Sequence, residues 1–203
     1  MRAFKRAAEP EVLQKNGEQW GNEWATRKAK DPSAKFHWHE QDGESVNKIL
    51  LPLLETQTQA HCSFCDCYAA DTDTIEHFQP KSTHPKLAFQ WDNLYLCCHR
   101  CQRKGEKFDE ALLRPDAEGY DFNRYFRWSY TRGHLLPNEN ATADDQKRAQ
   151  TTIALYQLNI RHPHLRCIAR KLRKRCKDMP LDEFPYRNFI DPKPVDNTTR
   201  KSK

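Results

Sequence analysis

An α+β fold is what this sequence predicts: a small cysteine-rich centre of short strands, flanked by N- and C-terminal helices. Three observations carry that reading. Helical periodicity is confined to the two ends, roughly residues 10–59 and 142–179. The stretch 61–108 lacks it and holds six of the eight cysteines and four of the nine histidines. Two CxxC turns bracket that stretch, which points to a metal rather than an apolar core as its main support.

Composition bounds the rest. A chain of 203 residues suffices for one core, or one core plus a small lobe. Only 37% of residues are apolar and 31% are charged, with a mean hydropathy of −1.01. The longest apolar run, Ile49 to Leu54, has six residues, far short of the roughly 18 of a membrane span. The opening Met1-Arg2-Ala3-Phe4-Lys5-Arg6 has no apolar signal core, so a cytoplasmic location is expected, with the cysteines reduced or metal-bound. Net charge is +6, but its distribution says more. Residues 161–177 carry eight cations and no acid. That run favours an anionic partner, nucleic acid first, with Arg170 and Lys174 as its expected contacts. The plainer reading is a solvated helix face next to a protein interface.

In order along the chain, proline at position 10 suits the first turn of a helix reaching Trp24 or Lys28. A second helix is expected over Glu44 to Gln59, kinked or broken at Pro52. After the cysteine-rich unit, Tyr125 to Tyr130 alternates aromatic and other residues. An Arg132-Gly133 turn and Leu135-Leu136 then complete a hairpin. Thr142 is a plausible N-cap for a helix with Ile153, Leu155 or Tyr156, and Leu158 on one face. Pro163 starts the helix that carries the basic run to about Met179, and the tail from Asp191 is expected to be disordered. The organisation is thus 1–60, a helical segment suited to docking a partner; 61–110, the metal-bound core; 111–190, the hairpin and basic helices; and 191–203, the tail.

Cys62-Ser63-Phe64-Cys65 and Cys98-His99-Arg100-Cys101 each present two thiolates to one ion, so together they complete a tetrahedron around structural Zn²⁺. Such an ion supplies on the order of 10 kcal/mol to folding. Four cysteines leave no open position for water, so this site is structural. Cys67 and Cys97 are second choices as ligands; Cys167 and Cys176 read as inert thiols.

Between the knuckles stand Glu76-His77-Phe78-Gln79-Pro80 and Trp91-Asp92-Asn93-Leu94. An acid–His pair, an Asn 16 residues on and a knuckle five residues later resemble the HNH nucleases, whose ββα-metal core is built inside such a cysteine pair. The resemblance narrows with Lys81-Ser82, Phe89-Gln90 and Gln102-Arg103-Lys104-Gly105-Glu106-Lys107-Phe108 to the PtuB family. These are HNH subunits of Septu antiphage defence, grouped with the HNH subunits beside some retrons. The opening six residues and Thr152 to Asn159 are similar to that family too.

The resemblance implies a metal-dependent endonuclease with 61–110 as its ββα core. It also implies an ABC- or SMC-like ATPase partner (PtuA-like), and DNA or tRNA as the substrate. Phosphodiester hydrolysis needs an activated water and neutralisation of developing charge. His77 is assigned as general base, Glu76 as a ligand of catalytic Mg²⁺ or Mn²⁺, and Asn93 as the orienting residue. The second metal ligand falls on Gln102, where the family carries Asn or His. Lys104 and Lys107 follow on the expected helix as phosphate contacts. His61, His84 and His99 read as surface or supporting residues. Two alternatives are a zinc-stabilised nucleic-acid-binding module without catalysis, and a restriction-type HNH enzyme acting alone.

Overall fold

The computed structural model describes residues 1–69 and 74–191; from 192 onward the tail read as disordered lies outside the described residues. Helix α1, Glu11–Lys30, begins after Pro10, whose carbonyl accepts from the Leu13 and Gln14 amides. Its last turn carries Arg27, Lys28 and Lys30, favourable at the negative end of the helix dipole. The buried stripe is Leu13, Gly17, Trp20, Gly21 and Trp24. The two glycines have a specific use. A Cβ on Gly17 would lie 2.8 Å from the Phe89 carbonyl oxygen, and one on Gly21 would collide with the Lys86 carbonyl. Only glycine lets this helix backbone approach the 85–89 segment so closely.

A two-residue hairpin, β1 (Glu40–Gln41) and β2 (Glu44–Ser45), leads into α2, Val46–Thr58. Of the kink or break expected at Pro52, the break does not occur: α2 runs through the proline, because Val46, Leu50, Leu54 and Thr58 bury one continuous stripe across it. The cysteine-rich unit contains β3 (Thr74–His77) and β4 (Leu94–Cys97), paired antiparallel with Glu76 opposite Tyr95 and His77 opposite Leu94. All four β4 residues are buried.

The helix expected after the second knuckle is corrected to a single 3₁₀ turn, Cys101–Lys104. Gly105, at φ +57° and ψ −133°, turns the chain out of helical geometry. The Lys104 amine then occupies the carbonyls of His77, Phe78, Gly105 and Lys107, tying the turn back onto β3.

Beyond it come α3 (Phe122–Tyr125) and the predicted hairpin, β5 (Phe126–Ser129) paired with β6 (His134–Pro137). Helix α4, Ala143–Leu155, is capped by the Thr142 hydroxyl, which accepts from the Asp145 amide. Tyr156 and Leu158 are fully buried but lie past its end. Helix α5, Pro163–Arg175, stops short of Met179. There the Arg173 guanidinium donates to the carbonyls of Cys176, Lys177 and Met179 and folds the chain back. Helix α6 is Arg187–Ile190. One cluster of buried side chains joins Leu13, Leu50, Phe64, Leu96, Phe126, Tyr156 and Phe189. Among the described residues no helix is long and apolar enough to cross a membrane.

Candidate active site and metal centre

The Sγ atoms of Cys62, Cys65, Cys98 and Cys101 lie within 4.8 Å of one another, and all four residues are buried. The Cys65–Cys98 separation is 3.6 Å, against an edge of about 3.8 Å for a tetrahedron with Zn–S near 2.3 Å. The two turns are fixed independently of any ion. The Asp66 amide donates to the Cys62 carbonyl, the Gln102 amide to the Cys98 carbonyl, and the Ser63 amide reaches across to Leu96. Burial pushes the Cys65 and Cys101 thiols up, a cost that a divalent cation removes by taking thiolates. The donor set fits a structural metal such as zinc. Cys67 and Cys97 are buried beside it, with Cys67 Sγ 3.1 Å from that of Cys65, closer than a tetrahedral edge.

The C-terminal segment clamps this centre. Asp66, held at φ +62° between Cys65 and Cys67, accepts at Oδ1 from both Nη2 and Nε of Arg187, at 2.7 and 3.0 Å, and its backbone carbonyl accepts from the Tyr186 amide. His61 is 1% exposed, and its Nε2 lies 3.0 Å from the Phe184 carbonyl. It is part of the clamp, not a surface group. His84 is half-buried and His99 exposed.

The hairpin brings Glu76, His77 and Asn93 to one end of β3 and β4. Asn93 is 5% exposed and saturates its side chain: Oδ1 accepts from the Gln79 amide at 2.8 Å, and Nδ2 donates to the carbonyls of Gln79 and Leu87. It closes the loop between the strands. At the loop's far side, the Ala88 carbonyl accepts from His77 Nε2 at 2.9 Å. A carbonyl only accepts, so the proton sits on Nε2, and Nδ1 keeps a free lone pair with no hydrogen-bond partner among the described residues. The His77 ring stacks on Trp38 at 5.6 Å and meets the edge of Phe36 at 5.4 Å. Burial, helped by the Lys81 charge, pulls its pKa down to about 3, so the imidazole is neutral at ordinary pH.

Glu76 faces the opposite way. Its Oε1 is 2.8 Å from Lys104 Nζ, with both side chains buried. Burial outweighs the lysine and raises the carboxyl to about 7. Lys104, read from the sequence as a phosphate contact, is therefore corrected to an internal counter-charge: 1% exposed, it offers no surface to a backbone. Gln102 is half-buried and Lys107 exposed. Among the described residues the four cysteines are the sole group of three or more His, Cys, Asp or Glu side chains arranged to hold a metal ion. On α5, Lys174 is exposed, while Arg170 lies over the Tyr130 ring at 4.6 Å.

Sequence reasoning missed Lys104 as a partner of Glu76, the Phe36–Trp38 wall, and the Gly17–Gly21 face that seats the Ala88 loop. Two glycines four residues apart inside a predicted helix were the available signal for the last. Two aromatics flanking His37 in a polar stretch were the signal for the wall.

No family model matches the chain. Over 87 residues it is 34% identical to the Septu protein PtuB of Bacillus thuringiensis, an alignment covering 38% of this chain and 34% of that protein. The chain spans about a third of the length of the curated relative it matches, and over that stretch it is similar to PtuB.

Proposed function

We propose that the chain is a metal-dependent endonuclease of the HNH type, the nuclease component of a Septu-like or retron-type antiphage system. The observation that carries this reading is the oriented imidazole. Nε2–H is anchored on Ala88, Nδ1 has no hydrogen-bond partner among the described residues, and the loop around it is closed by Asn93. Such a histidine is oriented to accept a proton, and the negative charge of a bound phosphate would offset the burial that holds its pKa at about 3. His77 Nδ1 takes the proton of a water as its oxygen bonds to phosphorus. The P–O3′ bond then breaks, and the leaving oxygen is protonated from solvent. Asn93 keeps the loop from relaxing as the ring becomes charged, and Trp38 and Phe36 hold the ring plane. A hard divalent cation, Mg²⁺ or Mn²⁺, held by Glu76 and Gln102 would supply neutralisation of the phosphorane charge. To serve as a ligand, Glu76 Oε1 would exchange its 2.8 Å contact with Lys104 for the cation. The ATPase partner enters this proposal as what the resemblance to the Septu nuclease subunits implies; co-purification with such a subunit tests it.

The decisive experiment compares wild type with His77→Ala on plasmid, single-stranded DNA and tRNA in Mg²⁺ or Mn²⁺, with and without the ATPase. Cutting that disappears in the variant supports the reading and names the substrate. Cutting that survives in the variant overturns the role of His77.

The engagement of Glu76 by Lys104 favours a second reading, a zinc-stabilised nucleic-acid-binding module. It predicts binding without cutting in every metal and with every partner.

A further inference from the structure

We propose that a cavity beside the candidate site receives one unstacked nucleobase, so that the substrate is single-stranded or locally unpaired nucleic acid; this deepens the nuclease reading and rests on it. The cavity measures about 400 Å³, within the range that takes a nucleotide. It shares its wall with the site: Phe78 follows His77, and Gln79 is the residue whose amide and carbonyl Asn93 grips. Phe78, Phe108, Tyr120 and Tyr125 supply aromatic surface, with Tyr120 stacked on Tyr125 at 5.8 Å.

Two polar features point to a ligand. Tyr120 lines the cavity, and its hydroxyl is buried with no hydrogen-bond partner among the described residues, a polar group that a base entering beside it would satisfy. Arg148 makes no ion pair with a described residue. It rests over Tyr125 at 5.5 Å and touches its hydroxyl at 3.3 Å, whereas the neighbouring Arg124 is already bound by both oxygens of Asp145. Glu110 and Glu118 on the rim disfavour a bare polyanion and suit the amino groups of a base. A base stacked in a duplex cannot enter such a concavity; one splayed from a single strand can.

The test uses the full chain with no divalent cation added, and fluorescein-labelled oligonucleotides of one sequence as single-stranded DNA, single-stranded RNA and duplex DNA. Anisotropy gives the affinities. Arg148→Gln removes the free cation, and Ala117→Trp, at an exposed wall position, plugs the mouth without touching the core. Each variant is expected to weaken single-strand binding by roughly tenfold and to leave duplex binding unchanged. The DNA and RNA arms tell which sugar is preferred. Single-strand affinity unchanged in Ala117→Trp overturns the proposal, as does an equal loss for duplex. Cleavage in Mg²⁺ separates the two readings. A protein that binds through the cavity and never cuts keeps the cavity and loses the nuclease. One that cuts, with both variants indistinguishable from wild type, keeps the nuclease and loses the cavity.

Discussion

Two dense stretches of this chain, the knuckle unit ending at Lys104 and the basic run 161–177, were both conspicuous in the sequence, and the fold treats them differently. In the first, the four spaced cysteines converge to within 4.8 Å. In the second, the eight cations scatter. Arg166 is 1% exposed and lies over Trp128 at 4.9 Å, Arg170 covers Tyr130, and Arg173 closes the end of α5. Arg161, Lys171, Lys174, Arg175 and Lys177 remain exposed. Chelation demands one geometry of four atoms, so spacing alone predicts the outcome. A guanidinium has a flat face that packs as well as a charge that solvates, so a count of arginines does not predict which face water sees.

The largest effect that sharpens this contrast is loss of a ligand. Cys62→Ser or Cys101→Ser is expected to abolish stoichiometric metal and cooperative unfolding, a loss on the order of 10 kcal/mol. Elemental analysis and thermal circular dichroism read it. A cooperative, metal-free melt in either variant would mean that packing rather than chelation holds the unit.

Next comes the buried pair. Lys104→Met strands the Glu76 carboxylate and is expected to cost about 3–5 kcal/mol in denaturant unfolding, while Glu76→Gln added to it recovers most of that. A loss under 1 kcal/mol for the single variant would show that the pair is hydrated.

That pair also marks the limit of sequence legibility. α1, the hairpin at Phe126–Pro137 and the Thr142 cap were legible, because each rests on residues a few positions apart. The metal centre was legible across 32 intervening residues, because two local turns encode it. Lys104 was misread because its partner lies 28 positions upstream and its exposure depends on the 3₁₀ turn that Gly105 ends. The continuity of α2 through Pro52 and the closeness of α1 to Lys86 are likewise tertiary facts. That Glu76, His77 and Asn93 lie near one another was legible; what each contacts was not.

The basic helix has its own sensitive point in His162, which precedes α5 and meets the Tyr186 hydroxyl at 3.2 Å. Burial, with Arg166 next, pulls its pKa down to about 4. It is neutral in the folded chain and takes a proton when unfolded below pH 6.5, so its contribution is complete above that value and is lost as pH falls toward 4. The loss is at most about 3 kcal/mol. His77 adds a loss of the same sign. The measurement is therefore the difference between wild type and His162→Gln from pH 7 to pH 5, and parallel curves would remove His162 as a contributor.

The smallest stability effect divides the basic run itself. Lys171, Lys174 and Arg175 are exposed and form no ion pair with a described residue, so changing all three to Gln is expected to alter unfolding by less than about 0.5 kcal/mol. Arg170→Gln removes a cation from the faces of Tyr130 and Phe189 and is expected to cost about 1 kcal/mol. Nucleic-acid binding is expected to respond in the opposite order. If the exposed cations touch phosphates, the triple variant flattens the dependence of log K on log salt by about 0.9 per lost contact on duplex and about 0.7 on single strand, while Arg170→Gln leaves the slope alone. An unchanged slope in the triple variant would turn this face into a protein-docking surface. The exposed Ile168 and Leu172 between its cations would then be the residues a partner covers.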